Sequence, residues 1–226
     1  MLGRASARSR VLNATRRTKH TMKIYQAVTS PFAVRVRIAA YAKGLSLEFV
    51  APPDGMGSEA YRKISPLGKV PTLATDDGTV IAESAVINEY LEEQFPEAPL
   101  LPATAVQRAR ARMVTEMTDA YIFSRYLPLF ALAKTHGKES PLVEDGMRGV
   151  NEGLAAVDRV IDDEAFAIGN DLSLADCALA PALFYITEYA EDYLNAPRAL
   201  NYCAKLQSYW QRIQVNPHVA RALAER

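Results

Sequence analysis

The chain has 226 residues, of which 49% are apolar and 23% are charged, a composition that is ordinary for a globular protein. Its 26 lysines and arginines equal its 26 aspartates and glutamates, so no overall charge draws it toward nucleic acid or an anionic membrane. No apolar run reaches the roughly 18 residues that a membrane-spanning helix needs. These features predict a protein that has neither a nucleic-acid partner nor a membrane partner.

The first 22 residues differ from the rest because they contain six basic residues and no acidic one. The segment has no long apolar stretch and is therefore not a secretory signal. Three interpretations stay open: a disordered basic tail, a spurious start upstream of Met22, or an organelle transit peptide, which it resembles in composition only. We leave this basic extension, residues 1–22, out of the fold prediction.

The cysteines and histidines predict neither a metal site nor a disulfide framework. Cys177 and Cys203 are far apart in helix-like apolar surroundings, where a free cysteine is usually a small core residue. The three histidines are scattered without ligand spacing. This usage favours a reducing cytoplasm.

The first half of the chain predicts a compact mixed sheet covered by helices, in the order β-α-β-α-β-β-α. Apolar periodicity, caps and turn residues define the elements. Asp77-Gly78 is a strong hairpin signal between the last two strands. The strands are predicted at residues 23–28, 46–50, 70–74 and 79–82, and the helices at residues 31–43, 58–64 and 84–95.

After Pro96 the composition changes, and the rest of the chain predicts helices only. Residues 97–102 contain two prolines and are expected to be a linker. The sequence therefore predicts an α/β domain over residues 23–98 and an all-α domain over residues 104–226. Helices are predicted at residues 105–133, 141–161, 174–189 and 199–214, with a short one after Pro217.

Ser173 and Asp176 form a capping box ahead of the most apolar of these helices. Both residues are interpreted as structural, and the helix as the buried centre of its domain.

Ser30 stands before Pro31 at the start of the first helix, where serine is a preferred cap and proline a preferred first residue. One interpretation is that Ser30 only caps the helix. The other is that its hydroxyl donates to a thiolate, because unpaired N–H groups and the positive end of the helix dipole also favour an anion there.

Two further places carry candidate binding residues. Val70-Pro71 opens the third strand; a trans bond would make it an ordinary strand start, whereas a cis bond would present the Val70 backbone to an extended peptide. Glu83-Ser84 lies where a strand meets a helix. Ser84 is there a natural helix cap, or the pair could hold the carboxylate and the ammonium of a γ-glutamyl group.

These sites resemble motifs of the glutathione transferase superfamily in their order and spacing. The segment from Ser30 to Arg37 is similar to the first-helix motif of its tau, omega and zeta-like members. Residues 66–73 resemble the cis-proline loop, residues 83–91 the γ-glutamyl-binding turn, and residues 173–176 the capping box. Each motif alone is weak evidence for this resemblance, whereas all of them in this order are strong evidence.

The resemblance implies a thioredoxin-like domain followed by a helical domain, a homodimer, and glutathione as co-substrate without a metal. Ser30 falls on the catalytic position, with Thr29 and, less favoured, Tyr25 as other hydroxyl donors. Serine rather than cysteine there favours conjugation or isomerisation over thiol transfer. The implied glutathione-binding residues are Lys69, Val70, Pro71, Glu83 and Ser84. The implied electrophile pocket lies between the domains and is lined by Tyr121, Phe123, Tyr126 and Phe130.

A second class of function stays open on the sequence alone. The chain also resembles the stringent starvation proteins, which use the same fold to bind RNA polymerase without catalysis. They tend to lack the hydroxyl at the Ser30 position, so Ser30, Glu83 and Ser84 favour a working glutathione site.

Overall fold

The computed structural model describes residues 22–194, 200–201 and 203–225, with the side chains of residues 190–192 left out. The basic extension except Met22, and the predicted helix start at residue 199, lie outside these ranges. Within them, no helix combines the length and the apolar character that crossing a bilayer requires.

Four short strands form one sheet in the order β2-β1-β3-β4. Strand β1 is parallel to β2 and antiparallel to β3, which forms a hairpin with β4. Strand β1 ends earlier than predicted because the Ser30 N–H turns back to the Ala27 carbonyl at 2.9 Å. Ile24 pairs with Leu73 at the buried centre of the sheet. The strands are β1 (Lys23–Tyr25), β2 (Glu48–Val50), β3 (Thr72–Ala74) and β4 (Val80–Ala82).

Helix α1 lies between the sheet and the helical half of the chain, and both of its faces are buried. Val36 packs in the sheet cluster with Ile24, whereas Val34 and Ile38 pack in the cluster of the helical half. This double burial explains why the helix is apolar nearly all round. The helices on the sheet are α1 (Pro31–Ala42), α2 (Glu59–Arg62) and α3 (Ser84–Gln94).

The rest of the described chain contains helices and no strand, which confirms the predicted fold class. Helix α7 supplies much of the buried core, and Cys177 and Cys203 are buried, free thiols as expected. The helices are α4 (Ala105–Met117), α5 (Ser124–His136), α6 (Pro141–Val160), α7 (Leu174–Leu194), α8 (Ala204–Ile213) and α9 (Pro217–Ala224).

The capping box holds the start of α7 through the buried Asp176. Its carboxylate accepts hydrogen bonds from the Ser173 N–H, the Ser173 hydroxyl and the Ala167 N–H, each at 2.8 Å. Burial raises the pKa of Asp176, and these hydrogen bonds oppose the rise. Ser173 therefore donates to Asp176, and both side chains serve the fold.

The helix predicted over residues 105–133 is helical throughout but is not one α-helix, because a π-helical turn at Thr118–Phe123 separates α4 from α5. The turn lies against α6 at Gly153, where a Cβ atom would stand 2.5 Å from the Tyr121 carbonyl oxygen. The glycines of α6 weaken a helix on propensity alone. At Gly153 the missing side chain is what lets the two backbones touch.

We expect Gly153→Ala to lower the free energy of unfolding by about 1–3 kcal/mol, because the new methyl group meets backbone that cannot rotate away. Gly146→Ala is the matched control, since its Cβ meets only the end of the Leu129 side chain. The control should stay within about 1 kcal/mol of the parent in urea denaturation. Equal tolerance of both substitutions would contradict the close approach at Gly153.

Candidate functional site

A cavity of about 240 Å³ opens where the β3 entry loop, the start of α3 and the π-helical turn meet. All five residues predicted to bind glutathione line it. Ser30 does not line the cavity, although Phe32 from the first turn of α1 does. The lining residues are Phe32, Ser65, Leu67, Lys69, Val70, Pro71, Ala82, Glu83, Ser84, Ala85 and Asp119.

The Val70–Pro71 loop is held from behind by a buried network of hydroxyl groups. The Tyr61 hydroxyl donates to the Lys69 carbonyl at 2.9 Å, and the Thr72 hydroxyl lies 3.0 Å from Ser65 Oγ. The Val70–Pro71 bond is cis. Among the described residues, the Val70 N–H and C=O take part in no backbone hydrogen bond. The loop therefore offers a fixed, unpaired peptide group to the cavity.

Glu83, rather than Ser84, occupies the cap position of α3, which corrects the interpretation of Ser84 as the cap. Glu83 has φ +67°, an uncommon conformation for a residue with a side chain, and its side chain makes no capping bond. Its carboxylate is exposed at the edge of the cavity, while Ser84, the first helical residue, is buried. The start of α3 thus brings a carboxylate, a hydroxyl and unpaired N–H groups to one place.

A buried arginine that the sequence interpretation missed ties this corner together. Arg35 on α1 is 1% exposed and makes a two-pronged ion pair with Asp119, with Nη–Oδ distances of 2.8 and 2.5 Å. The same guanidinium donates to Ser84 Oγ at 3.2 Å. A charged residue inside an otherwise apolar helix was the available signal, because such a residue must be paired.

Ser30 caps α1, and its hydroxyl keeps a hydrogen to donate. Its Oγ accepts from the Ala33 N–H at 3.4 Å, which uses a lone pair and leaves the O–H hydrogen free. Capping and donation to a sulfur anion are therefore compatible. Thr29 is exposed beside it, whereas Tyr25 ends β1 with its ring 5.7 Å from that of Tyr61.

Sequence comparison decides the family. Residues 24–99 match the model of the glutathione S-transferase N-terminal domain, and residues 120–217 match that of the C-terminal domain. A maleylacetoacetate isomerase of Pseudomonas aeruginosa is 35% identical over 170 residues, covering 72% of this chain and 80% of that relative. The chain belongs to the glutathione S-transferase family.

One further relative and one solved structure are also similar to this chain. A zeta-class glutathione S-transferase of Euphorbia esula is 34% identical, over 80% of this chain and 84% of that relative. A glutathione S-transferase structure from Methylobacterium radiotolerans, in complex with glutathione sulfonate, matches with a TM-score of 0.75 at 25% identity. That match covers 89% of this chain and 94% of the other.

In this transferase, two of the four residues predicted to line an electrophile pocket lie in the core. Tyr126 is fully buried and donates to the Tyr185 carbonyl at 2.7 Å; burial raises its pKa. Phe123 is 1% exposed and packs on Phe32, with ring centroids 5.0 Å apart. Neither therefore offers surface to a substrate in this arrangement.

The other two predicted pocket residues have different surroundings. Phe130 packs against Tyr126 and, at a centroid distance of 6.2 Å, against Tyr193. Tyr121 is 52% exposed and does not line the cavity.

Helix α7 supplies aromatic residues that the sequence interpretation did not include. The rings of Tyr185 and Tyr189 are 5.3 Å apart, and those of Tyr189 and Tyr193 are 5.8 Å apart. The Tyr185 hydroxyl donates to the carbonyl of Thr29, next to Ser30. The spacing of four residues on α7 was the available signal.

Proposed function

We propose that this protein binds glutathione in the cavity, ionises its thiol with help from the Ser30 hydroxyl, and adds the thiolate to a small apolar electrophile. The observation that supports this best is the convergence of Lys69, Val70, Pro71, Glu83 and Ser84 on one cavity. These residues belong to two separate segments of the chain, and short sequence motifs predict each segment to bind the tripeptide.

The chemistry of the cavity suits the three parts of the tripeptide. The exposed carboxylate of Glu83 would hold the γ-glutamyl ammonium, and the start of α3 would hold its carboxylate. Ser84 Oγ already accepts from Arg35, so its hydrogen is left for that carboxylate. The Val70 backbone would pair with the cysteinyl peptide, and Lys69 would reach the glycyl carboxylate.

Asp119 is a positioning and binding group in this proposal. It lines the cavity and is 30% exposed, so part of its carboxylate faces the space where the ammonium would lie. Its pairing with Arg35 leaves the corner with one net negative charge, from Glu83. That charge matches a single ammonium group.

The energy needed to ionise the thiol is within reach of one hydroxyl and a helix end. A free thiol has a pKa of about 8.5, and lowering it by two units requires roughly 2.7 kcal/mol of preference for the anion. A hydrogen bond to a charged group supplies about 1.5–3 kcal/mol, and a helix N-terminus adds about 0.3–1 kcal/mol.

The thiolate step has two outcomes, which stay alternatives here. In conjugation the sulfur forms a bond to the electrophile and glutathione is consumed. In isomerisation the thiolate adds to one carbon of a double bond, the adduct rotates about the resulting single bond, and the thiolate leaves again. Loss of free glutathione during turnover distinguishes the two.

The proposal also includes a cytoplasmic homodimer, with a glutathione-binding domain over residues 23–98 and a helical domain over residues 104–226. The competing function is a non-catalytic protein that binds a partner such as RNA polymerase. Ser30, Glu83 and Ser84 favour the transferase, because the stringent starvation proteins tend to lack the hydroxyl at the Ser30 position.

Glutathione binding separates the two functions. The full chain should be retained on immobilised glutathione and eluted by the free tripeptide. Glu83→Gln should raise the dissociation constant by about tenfold, because one charge-assisted bond to the ammonium is lost. Isothermal titration calorimetry measures the change.

Glu93→Gln is the control, since Glu93 is an exposed residue of the same helix that does not line the cavity. An unchanged dissociation constant in Glu83→Gln would move the ammonium contact to Asp119. A protein that passes straight through the column would support the non-catalytic alternative.

A further inference from the structure

The second arginine of α1, Arg37, is buried, and no described carboxylate lies within hydrogen-bond range of it. It is 1% exposed, and its guanidinium donates to three neutral oxygen atoms. Its Nε has no hydrogen-bond partner among the described residues. Burial lowers the pKa of Arg37, and the electrostatic influence of Tyr41, Glu225 and Tyr185 opposes that change.

Burying Arg37 without a carboxylate partner is expected to lower the stability of the fold, because a buried charge needs a partner to offset its lost hydration. Arg35, two residues earlier on the same helix, has that partner in Asp119. The three oxygen atoms around Arg37 therefore indicate another role.

Two of these oxygen atoms belong to the loop that delivers Ser30. Nη1 donates to the Gln26 side-chain oxygen at 2.9 Å, and Nη2 donates to the Val28 carbonyl at 2.9 Å. The planar fork of the guanidinium fixes both oxygen atoms at once.

The loop is also held at its two ends, where the Gln26 N–H donates to the Val50 carbonyl at 2.8 Å and the Ser30 carbonyl accepts the first bond of α1. Between them, the Ser30 N–H turns back to the Ala27 carbonyl, and the Tyr185 hydroxyl donates to the Thr29 carbonyl.

The third oxygen atom belongs to the far end of the chain. Nη2 also donates to the Ala222 carbonyl at 3.2 Å, in the last turn of α9. Carbonyls in a last turn lack partners within their helix, and the helix dipole places partial negative charge there. Helix α9 is further attached to α1 by a hydrogen bond from the Tyr41 hydroxyl to Glu225 and by Arg221, which lies 3.8 Å above the Tyr41 ring.

We propose that Arg37 is a positioning residue that holds the Ser30 loop in place by bracing it against the C-terminal helix α9. Residues 26–29 form the loop, Arg37 is the brace, and α9 is the fixed support. The proposal rests on the function assigned above, since it concerns where the Ser30 hydroxyl stands relative to the sulfur. It makes the last turn of α9, which does not line the cavity, part of the active-site scaffold.

The test replaces Arg37 with Met, which keeps an unbranched side chain of similar shape near the backbone and removes all three hydrogen bonds. We expect the apparent pKa of the bound glutathione thiol to rise by about half a unit or more and kcat near neutral pH to fall about fivefold. The dissociation constant for glutathione should stay within about twofold, because the cavity residues are untouched. Amide hydrogen exchange over residues 26–30 should become about tenfold faster.

Arg110→Met is the matched control. Arg110 also donates to a carbonyl, that of Val160 at 2.8 Å, and pairs with Asp162, but it lies in the helical half away from the loop. Arg110→Met should alter stability and leave the thiol pKa unchanged. If Arg37 were only structural, Arg37→Met would give the same result. Gln26→Leu removes one loop contact and keeps the buried charge. If Arg37→Met does not fold, the thiol pKa and the loop exchange of Gln26→Leu test the positioning role instead.

The outcomes are distinguishable. A parent protein that does not lower the thiol pKa of bound glutathione refutes the proposed function, and the exchange rate of the loop still tests the brace. A parent that lowers the pKa, with variants at Arg37 and Gln26 that match it in thiol pKa and in loop exchange, overturns the brace alone.

Discussion

Lys43→Met is expected to lower the free energy of unfolding by about 3–5 kcal/mol, the usual cost of removing one partner from a buried ion pair. The Lys43 side chain is fully buried, and its Nζ lies 2.6 Å from the carboxylate of Glu92. Its other two hydrogens go to the carbonyls of Phe95 and Ala98, each at 2.8 Å. All three donors of the ammonium are thus used.

The pair matters because it fastens the linker between the two halves of the chain. Glu92 also accepts from the N–H groups of Leu100 and Leu101 at 2.9–3.0 Å. Removing Lys43 leaves a mostly buried carboxylate without its cation and two carbonyls without a donor. The loss should appear in urea denaturation followed by the fluorescence of Trp210, the single tryptophan.

Lys23→Met provides the comparison for this first prediction. Lys23 pairs with Glu48 at 3.4 Å, and the two side chains are 46% and 53% exposed, so its loss should cost less than about 1 kcal/mol. The double variant Lys43→Met/Glu92→Gln should be less destabilised than the single effects add up to, because neither charge is left alone. A loss below about 1 kcal/mol for Lys43→Met would mean that the linker is held by other contacts.

Ser30→Ala is expected to reduce turnover on a model electrophile by at least about tenfold, since one hydrogen bond to the sulfur anion is worth roughly 1.5–3 kcal/mol. Glutathione affinity should change by less than about twofold, because the groups proposed to bind the tripeptide line the cavity and Ser30 does not. Steady-state kinetics with varied glutathione measures both quantities.

The substitution also removes a helix cap, which typically costs about 1 kcal/mol of stability. Ser140→Ala is a matched control for that effect. Ser140 caps α6 and is followed by Pro141, as Ser30 is followed by Pro31, and its Oγ accepts from the Leu142 N–H. The control should lose stability and keep turnover. Unchanged turnover in Ser30→Ala would move the role to Thr29.

Local chemistry made much of the fold and of the cavity predictable. Asp77-Gly78 marks a hairpin because glycine tolerates the positive φ that the turn needs, and Gly78 has φ +86°. Ser30 caps α1, as serine before Pro31 predicts. Short motifs at strand and helix ends, in a fixed order along the chain, predict the residues of the cavity.

The rest depends on contacts between distant segments, which no local pattern encodes. Arg35 and Asp119 are 84 residues apart. Lys43 reaches the carbonyls of Phe95 and Ala98, which are 52 and 55 residues further along the chain. The π-helical turn packs closely against Gly153, which lies on another helix. Of the four aromatic residues predicted to line an electrophile pocket, Phe123 and Tyr126 lie in the core, because helical spacing alone does not distinguish a buried face from a pocket wall.

The ionisation of bound glutathione tests the central claim most directly. The ultraviolet absorbance of the thiolate, followed against pH on the parent and on Ser30→Ala, gives the apparent pKa of the sulfur in each complex. The account predicts a value at least about one unit below the roughly 8.5 of a free thiol in the parent, and a return toward 8.5 in the variant. Equal pKa values in the two complexes would contradict the role of the Ser30 hydroxyl.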